Sequence, residues 1–372
     1  MFRACPTVDV DLPDGTAAVA VARQSDVRTV LSDDRFSRAQ FRMRTPSAGS
    51  DFGLVNVDPP LHTVRRRLLR GWLTMRSAQQ ARPRIELVAN GLVDDLLEKG
   101  PPADIYAQFC HPFPTLVHMD LLGLDVADLP YLAPRLAVAW SSDRYHGDEA
   151  ANQLREYLAS QIARARRAGA AGGLIAALAR QDPASGLTDP EIVALSMGLL
   201  MAGAETTGSH LALSLVEILE RPGLADELRH NPGAIPSAVE ELLRWVWFDG
   251  RAGGPGKPHV ATADVELHDR LISKGQVVIP LVDVANRDPD VFADPDDFCP
   301  HRYPNPHLGF GHGRHQCIGM AFARVELQVA LQVVLSRLDG MALVPGARIN
   351  WRTGIFTRGV SDLPVTWRRG GQ

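Results

Sequence analysis

The sequence predicts a mainly α-helical protein with a smaller β region, folded as a single domain of 372 residues. Apolar residues recur at three- and four-residue spacing from about Leu61 to Arg244, which is the pattern of helices that bury one face. Residues 259–284 change to short apolar runs separated by turn residues, which indicates strands. The glycine-rich stretch at residues 250–256 is short and is typical of a loop, so no domain boundary is predicted.

The remaining elements follow in order along the chain. Two short strands are predicted around the turn at residues 12–15, followed by a helix over about residues 25–31. Pro- and Gly-rich breaks divide the long helical region, for example at residues 182–190. Residues 286–307 are rich in Asp and Pro, which predicts an irregular surface stretch. A helix follows Cys317, and the tail returns to short strands.

Composition argues against several classes of protein. The chain is 45% hydrophobic and 22% charged with a net charge of -4, so it has a globular profile without the basic excess of a nucleic-acid partner. We find no run of 18 apolar residues and no signal-peptide pattern, so no membrane association is predicted. None of the cysteines forms a Cys-x-x-Cys pair, which argues against zinc, disulfides and covalently attached haem. These features predict a reducing, cytoplasmic location.

The most informative segment is residues 310–319, FGHGRHQCIG, where one cysteine lies in a glycine-punctuated loop before a long apolar helix. Free amides and the dipole at a helix N-terminus favour a thiolate. Hydrogen bonds to the sulfur would tune an iron bound to it, and Phe310 could shield it from water. A lone cysteine in a turn is more often structural. The complete ten-residue pattern instead favours an iron ligand.

This loop resembles the cysteine-ligand loop of the cytochrome P450 family, haem-thiolate monooxygenases whose pattern is FGxGxHxCxG, and it matches every fixed position. The resemblance implies a single cytochrome P450 domain over residues 1–372, with haem b (iron protoporphyrin IX) between the long central helix and the cysteine-loop helix. It also implies that Cys317 binds the iron and that Phe310 contacts the cofactor. The family normally carries a helix before the first strand. Only about seven residues precede that strand here, so this helix is predicted to be short or absent.

The central helix is predicted to begin with a capping box at residues 188–191, TDPE, and to run to about Arg221. Its middle reads LMAGAETT over residues 200–207, where an acid and two hydroxyls are costly unless they find partners. Thr206 can donate to the carbonyl of Ala202, four residues back. Taken alone, this stretch also fits a small-residue packing notch with an exposed glutamate.

The same stretch resembles the family's AGxETT oxygen-activation motif, in which an acid and an alcohol deliver protons. The resemblance implies that Glu205 and Thr206 form a proton relay and that Ala202 lies against the cofactor. Because relatives that run on peroxide tend to lack this pair, its presence favours a monooxygenase that uses dioxygen and two electrons.

A Glu-x-x-Arg pair lies on a second predicted helix, at Glu241 and Arg244. Such pairs are common and are usually solvated. This one resembles the family's Glu-x-x-Arg helix, and the resemblance implies that Arg302 joins the pair in a structural role.

A third motif, DPPLHTVRR at residues 58–66, places His62 and Arg66 four apart on one helix face, which suits a pair of carboxylates. A basic helix face in water is the alternative. The segment is similar to a family pattern, which implies that His62, Arg66 and His315 bind the haem propionates.

One position departs from the family. Where relatives usually place a propionate-binding arginine before a strand, this chain has His259. A histidine still donates a hydrogen bond, but its charge depends on pH near neutrality. Haem retention is therefore expected to be pH-sensitive.

The function that these motifs favour is insertion of an oxygen atom into a small, mostly apolar organic substrate, in secondary-metabolite biosynthesis. Oxidative coupling of aromatic rings in a small peptide or cyclodipeptide is an alternative, because Trp245, Trp247 and Phe248 could stack on an aromatic substrate or could simply pack. A non-catalytic haem-binding protein is a further alternative, although the intact activation motif argues against it. Pocket-lining candidates are the loop at residues 41–56, Leu199, Met201, Ile355 and Phe356.

Electrons must come from a separate ferredoxin or flavodoxin with its reductase, because no flavin or iron-sulfur segment is present. Arg65, Arg67, Arg70 and Arg314 could form a basic docking patch for such an acidic partner, or could simply be solvated.

Overall fold

A computed structural model describes residues 6–12, 15–44, 53–139, 144–168, 172–181, 187–248, 257–268, 270–353 and 357–368. The helices are α1 (Gln24–Ser32), α2 (Arg38–Arg44), α3 (Leu61–Arg70), α4 (Met75–Lys99), α5 (Pro112–Leu122), α6 (Leu129–Ala139), α7 (Arg144–Ala168), α8 (Leu174–Ala179), α9 (Asp189–Leu219), α10 (Leu224–His230), α11 (Ile235–Trp245), α12 (Val282–Ala285) and α13 (Met320–Arg337). The strands are β1 (Thr7–Asp11), β2 (Ala17–Val21), β3 (Phe36–Ser37), β4 (Ala103–Asp104), β5 (His259–Ala261), β6 (Val265–Leu267), β7 (Arg270–Ile272), β8 (Val277–Pro280), β9 (Ala342–Leu343), β10 (Trp351–Thr353), β11 (Arg358–Val360) and β12 (Pro364–Thr366). The predicted mainly α fold with a smaller β region is confirmed.

The helical body is built around α9, whose side chains are mostly buried and which packs against α5, α7, α8 and α13. The predicted capping box is present, because the Thr188 N–H donates to Glu191 Oε2 over 3.0 Å. The helix ends at Leu219, two residues before Arg221. Arg221 precedes a proline, and a residue before proline is disfavoured in the helical conformation.

Among the described helices, α9 alone has the length and apolar composition to cross a bilayer, and 67% of its most apolar window is buried inside the protein. A buried core helix has this same character, so the helix is weak evidence for a membrane span.

The strands of the described residues form four sheets. The largest has the strand order β1-β2-β8-β5-β3, in which β2 and β8 run parallel and the other neighbours run antiparallel. This sheet joins the N-terminal strands to strands from the second half of the chain. It therefore brings α2 close to β5, and both elements contribute to the site described below.

The segment before the cysteine loop has little regular structure, as predicted, but the prediction that it lies on the surface is wrong in part. Asn286, Asp288 and Phe292 are all buried. The carboxylate of Asp288 accepts a hydrogen bond from the Gln24 amide over 2.7 Å, so the polar residues of this segment serve as internal partners.

Candidate functional site

The cysteine loop forms a tight turn that leads into α13. The Cys317 N–H donates to the carbonyl oxygen of Phe310 over 2.8 Å, which closes the loop on itself. Gly313 has a φ of +67°, and a Cβ there would lie 2.5 Å from the carbonyl oxygen of Leu31. Only glycine fits this close approach to α1 without strain. The loop therefore presents the Cys317 thiol on its inner side.

The thiol of Cys317 is free and borders a cavity. Burial raises its pKa above the ordinary value, against the opposing effects of a hydrogen bond from Gly319 and the charges of Arg66 and Arg324. A metal would bind this group as the thiolate and release its proton.

The cavity beside Cys317 has a volume of about 270 Å³ and lies between the cysteine loop, α13 and α9. Phe310, Leu199 and Met201 line it, as predicted, and the rest of the wall combines apolar side chains and glycines with polar side chains. Lys257, Arg38 and His315 add basic groups to the wall. Of the other pocket candidates, Val55 lines the cavity, whereas residues 45–52, Ile355 and Phe356 lie outside the described residues.

Two predicted residues of α9 face this cavity. Ala202 and Thr206 both line it, and the Thr206 hydroxyl donates to the Ala202 carbonyl, as predicted. Gly203 also lines the cavity, and His118 from α5 lies against it, because a Cβ on Gly203 would be only 1.8 Å from His118 Nε2.

The predicted acid, Glu205, is buried but is not among the residues that line the cavity. Its Oε1 accepts hydrogen bonds from Ser209 Oγ at 3.0 Å and from Arg352 at 2.5 Å. The same Arg352 nitrogen lies 2.7 Å from the hydroxyl of Tyr106, which stands in a π-helical turn at Tyr106–Cys110. Such turns are rare, and the sequence did not indicate this one. Glu205 therefore belongs to a polar cluster that reaches β10, where the Arg352 side chain is 27% exposed.

The predicted propionate-binding residues are drawn together near the cysteine loop. The rings of His62 and His315 lie 4.3 Å apart, and burial lowers the pKa of His62 to about 4, helped by the charges of Arg66 and Arg38. His315 Nε2 is buried without a hydrogen-bond partner, and the pKa of this ring is also lowered by burial. Of the predicted group, only His315 lines the cavity itself.

His259 lies behind the cavity wall, and a residue that the sequence did not single out stands in front of it. Arg38 lines the cavity, and its Nε donates to His259 Nε2 over 3.2 Å. Burial and the Arg38 charge lower the pKa of His259 well below its ordinary value. The ring is therefore neutral near pH 7, which removes the basis for expecting pH-sensitive haem retention through His259.

Two arginines expected on the docking patch have other partners. Arg65 is buried and donates to the Gly53 carbonyl over 2.9 Å and to Glu191 over 3.2 Å, so it ties α3 to the start of α9. Arg314 is paired with Asp34, and its side chain is only 15% exposed. Helical spacing did not separate Arg65 from Arg67 and Arg70, which are exposed.

The Glu-x-x-Arg pair is fully buried. Glu241 accepts two hydrogen bonds from Arg244, at 2.7 and 2.8 Å, and one to each of its oxygens from Arg302, both at 3.2 Å. The Cys299 amide and Asn305 also donate to it. The arrangement joins α11 to the segment before the cysteine loop.

Three aromatic residues at the end of α11 and just after it were candidates for stacking on a substrate. Trp245 points away, donating from Nε1 to Glu217 over 2.9 Å, and Trp247 is 46% exposed. Phe248 alone of the three lines the cavity, where its ring lies 5.5 Å from that of His210. Of these three residues, only Phe248 is therefore placed to stack on an aromatic substrate.

A buried acid-base pair on the cavity wall was missed by sequence reasoning. Glu326 of α13 is completely buried, and neither carboxyl oxygen has a hydrogen-bond partner. Its closest basic group is His118, whose Nδ1 lies 4.0 Å away and is 2.9 Å from the Pro114 carbonyl. Burial raises the pKa of Glu326 well above its ordinary value.

Because the folded state holds the Glu326 proton more tightly than the unfolded chain, this residue favours folding at low pH and loses that contribution as pH rises above its unfolded pKa. We expect Glu326→Gln to unfold at a higher denaturant concentration than the parent at pH 7, with the difference shrinking toward pH 4. Urea titrations of the haem-loaded protein at both pH values measure this, with exposed Glu98→Gln as the control. Equal shifts for the two variants would contradict it.

The residues present fit a flat, anionic, metal-bearing cofactor. The free thiol offers one soft ligand, and no cluster of three or more His, Cys, Asp or Glu that could hold a metal occurs among the described residues. Basic side chains and the unpartnered His315 nitrogen suit carboxylates, while the remaining wall suits an apolar ring. Haem b combines these three requirements.

Comparison with known proteins agrees with this chemistry. A sequence model of the family "Cytochrome P450" matches residues 125–235 and 235–342. The chain is 38% identical to nocardicin C N-oxygenase of Nocardia uniformis subsp. tsuyamanensis and 39% identical to mycinamicin IV hydroxylase/epoxidase of Micromonospora griseorubida, covering 97% of this chain and 92% of each relative. Its fold superposes with a TM-score of 0.90 on the LnmA cytochrome P450 hydroxylase of Streptomyces atroolivaceus S-140, which is 36% identical, with 98% of this chain and 94% of that structure covered.

Proposed function

This chain belongs to the cytochrome P450 family of haem-thiolate monooxygenases, and on that premise we propose that Cys317 is its iron ligand and that the cavity beside it binds a small, mostly apolar substrate. The observation that carries the proposal is that Cys317 of the cysteine loop and Thr206 of α9 line the same cavity. Haem, when bound, supplies the centre at which dioxygen is activated by two electrons.

The cofactor site would be held from two sides. Cys317 supplies the thiolate, with Phe310 beside it and with the Gly319 hydrogen bond helping to stabilise the negative sulfur. His62, Arg66, His259 and His315 supply or support hydrogen-bond donors for the two carboxylates. Ala202 presents a small side chain on the α9 wall, which leaves space for a flat ring.

Proton delivery would run through two neighbouring residues with different surroundings. Glu205 Oε1 is fixed by Arg352 and Ser209 in a polar cluster that reaches the partly exposed Arg352, which places the carboxylate near water that could protonate it. Thr206 Oγ1 lies in the cavity and donates to the Ala202 carbonyl, which leaves its lone pairs free to accept a proton from donors inside the cavity. The pair therefore links an outer proton source to an inner hydroxyl.

The substrate class follows from the cavity and the relatives together. The apolar lining favours burial of a hydrophobic body, and two relatives act, by their names, on nocardicin C and mycinamicin IV. We place this enzyme in the biosynthesis of a secondary metabolite. Of the three aromatic candidates for stacking, Phe248 alone lines the cavity, which gives oxidative coupling less support than oxygen insertion.

Members of the family act on small molecules and take electrons from redox partners. We assign a ferredoxin or flavodoxin as the donor here, with exposed Arg67 and Arg70 on α3 as part of its docking surface.

The free cysteines Cys110, Cys299 and Cys317 are compatible with a reducing cytoplasm. We also treat residues 1–372 as one domain, because the main hydrophobic core joins residues from Leu69 to Trp367. The region before residue 6, on which the prediction of a short leading helix depends, lies outside the described residues.

The docking surface predicts a kinetic effect. The variant Arg67→Glu/Arg70→Glu should raise the apparent KM for an acidic ferredoxin and weaken the dependence of turnover on salt, because charge attraction speeds encounter at low ionic strength. Steady-state reduction rates at several salt concentrations measure both effects, with exposed Arg167→Glu on α7 as the control. An unchanged KM and an unchanged salt profile would place the docking surface elsewhere.

The proposed reaction is tested with the haem-loaded protein, a ferredoxin, its reductase and isotopically labelled dioxygen. Mycinamicin IV, nocardicin C and a panel of related macrolide and peptide metabolites serve as probes, screened first by the shift of the Soret band on binding. We expect at least one ligand to yield a product that carries a single labelled oxygen atom. Oxygen uptake no greater than the loss from haem bleaching, with every probe that binds, would support a non-catalytic haem protein instead.

A further inference from the structure

The first residue of α2, Arg38, is a charged side chain in the cavity wall that none of the sequence motifs assigned. It is 6% exposed and lines the cavity between the sheet and the cysteine loop. Its position is fixed from two sides, by the neighbouring strand β3 and by the hydrogen bond from its Nε to His259 Nε2.

The charges around Arg38 are mostly of its own sign. Lys257 lines the same wall, and burial lowers the pKa of Arg38 to about 10, helped by the Arg314 charge and opposed by the Asp58 charge. The acid that opposes them is Asp58, which also accepts a hydrogen bond from Ser37. A region with this balance of charge is stabilised by an anionic ligand.

The histidines of the region do not carry this charge at neutral pH. Burial and the Arg38 charge lower the pKa of both His62 and His259, so these rings are neutral donors or acceptors. Arg38 and half-buried Arg66 remain charged at pH 7. Haem has two propionates, and the site offers two arginines.

We propose that Arg38 binds a haem propionate directly, and that His259 acts as a positioning residue that holds the Arg38 guanidinium in place. Arg38 then supplies from α2 the guanidinium that relatives usually supply from the position of His259. The geometry supports these two roles, because Arg38 lines the cavity and His259 lies behind it. The inference rests on the proposed haem site.

The test is the rate at which haem leaves the loaded protein for excess apomyoglobin at pH 7. Arg38→Gln should accelerate this transfer roughly tenfold to hundredfold, which is the range for a hydrogen bond between charged groups. Arg38→Lys keeps the positive charge but loses the planar guanidinium, so its haem transfer rate should lie between those of the parent and Arg38→Gln. Exposed Arg167→Gln on α7 is the matched control.

A swap variant separates a direct role from a structural one. In Arg38→Gln/His259→Arg, a guanidinium returns to the same wall from β5, and haem loss should slow again relative to Arg38→Gln. A transfer rate for Arg38→Gln equal to that of the control would overturn the inference. If Arg66→Gln accelerates haem loss while Arg38→Gln does not, only this inference fails; if neither variant changes the rate, the proposed propionate site fails with it.

Discussion

Replacing Glu241 with alanine is expected to destabilise the fold by about 3–5 kcal/mol, the cost of removing one partner from a buried ion pair. Glu241 and Arg244 are both completely buried, and Arg302 donates to the same carboxylate. Alanine would leave two guanidiniums without their shared counter-charge. Arg244 would keep only its bonds to the carbonyls of Asn286, Pro295 and Asp297.

The damage should extend to the cofactor, because this ion pair fixes the segment that precedes the cysteine loop. The Cys299 amide and Asn305 both donate to Glu241, so its loss loosens the chain before Cys317. Denaturant titration and the haem content of the purified protein measure the two effects. The control is Glu220→Ala, an exposed residue just after α9. A stability within about 1 kcal/mol of that control would show that the buried pair is not needed.

The second large effect is expected at the proton relay. Glu205→Gln keeps the shape and the hydrogen bonds of the side chain but cannot exchange a proton, and we expect turnover to fall by about 10²-fold, the lower end for general acid-base catalysis. Thr206→Ala removes the hydroxyl that lines the cavity. It should divert consumed oxygen into hydrogen peroxide rather than into organic product.

Conservative replacements distinguish proton transfer from packing. Thr206→Ser restores a hydroxyl at the same atom and should restore the ratio of product to oxygen consumed. Oxygen uptake, peroxide release and product are measured together with a substrate found in the binding screen. If Thr206→Ala retained the parent ratio, the relay would have to be assigned to other groups.

The sequence predicted the parts of the site that depend on local patterns. A capping box and a threonine bonded four residues back on a helix each involve short chain separations, so spacing alone identifies them. The strands at both ends of the chain were also apparent from turn residues and alternating runs.

The missed residues owe their positions to contacts between distant segments. Arg38 meets His259 across more than two hundred residues, and Arg352 reaches Glu205 from a strand near the C-terminus. Their neighbours in the sequence carry no sign of either partner. Arg65 was misjudged for a related reason. Helical spacing predicts which residues share a face of α3, but it does not predict which other element packs on that face. Here Glu191 at the start of α9 pairs with Arg65.

The most direct test of the account is the carbon monoxide difference spectrum of the dithionite-reduced protein, recorded beside the Cys317→Ala variant. Thiolate ligation by Cys317 predicts a strongly red-shifted Soret band in the parent protein that is absent from the variant. A parent band typical of histidine-ligated haem, or a red-shifted band that persists in Cys317→Ala, would contradict the assignment of Cys317 as the iron ligand.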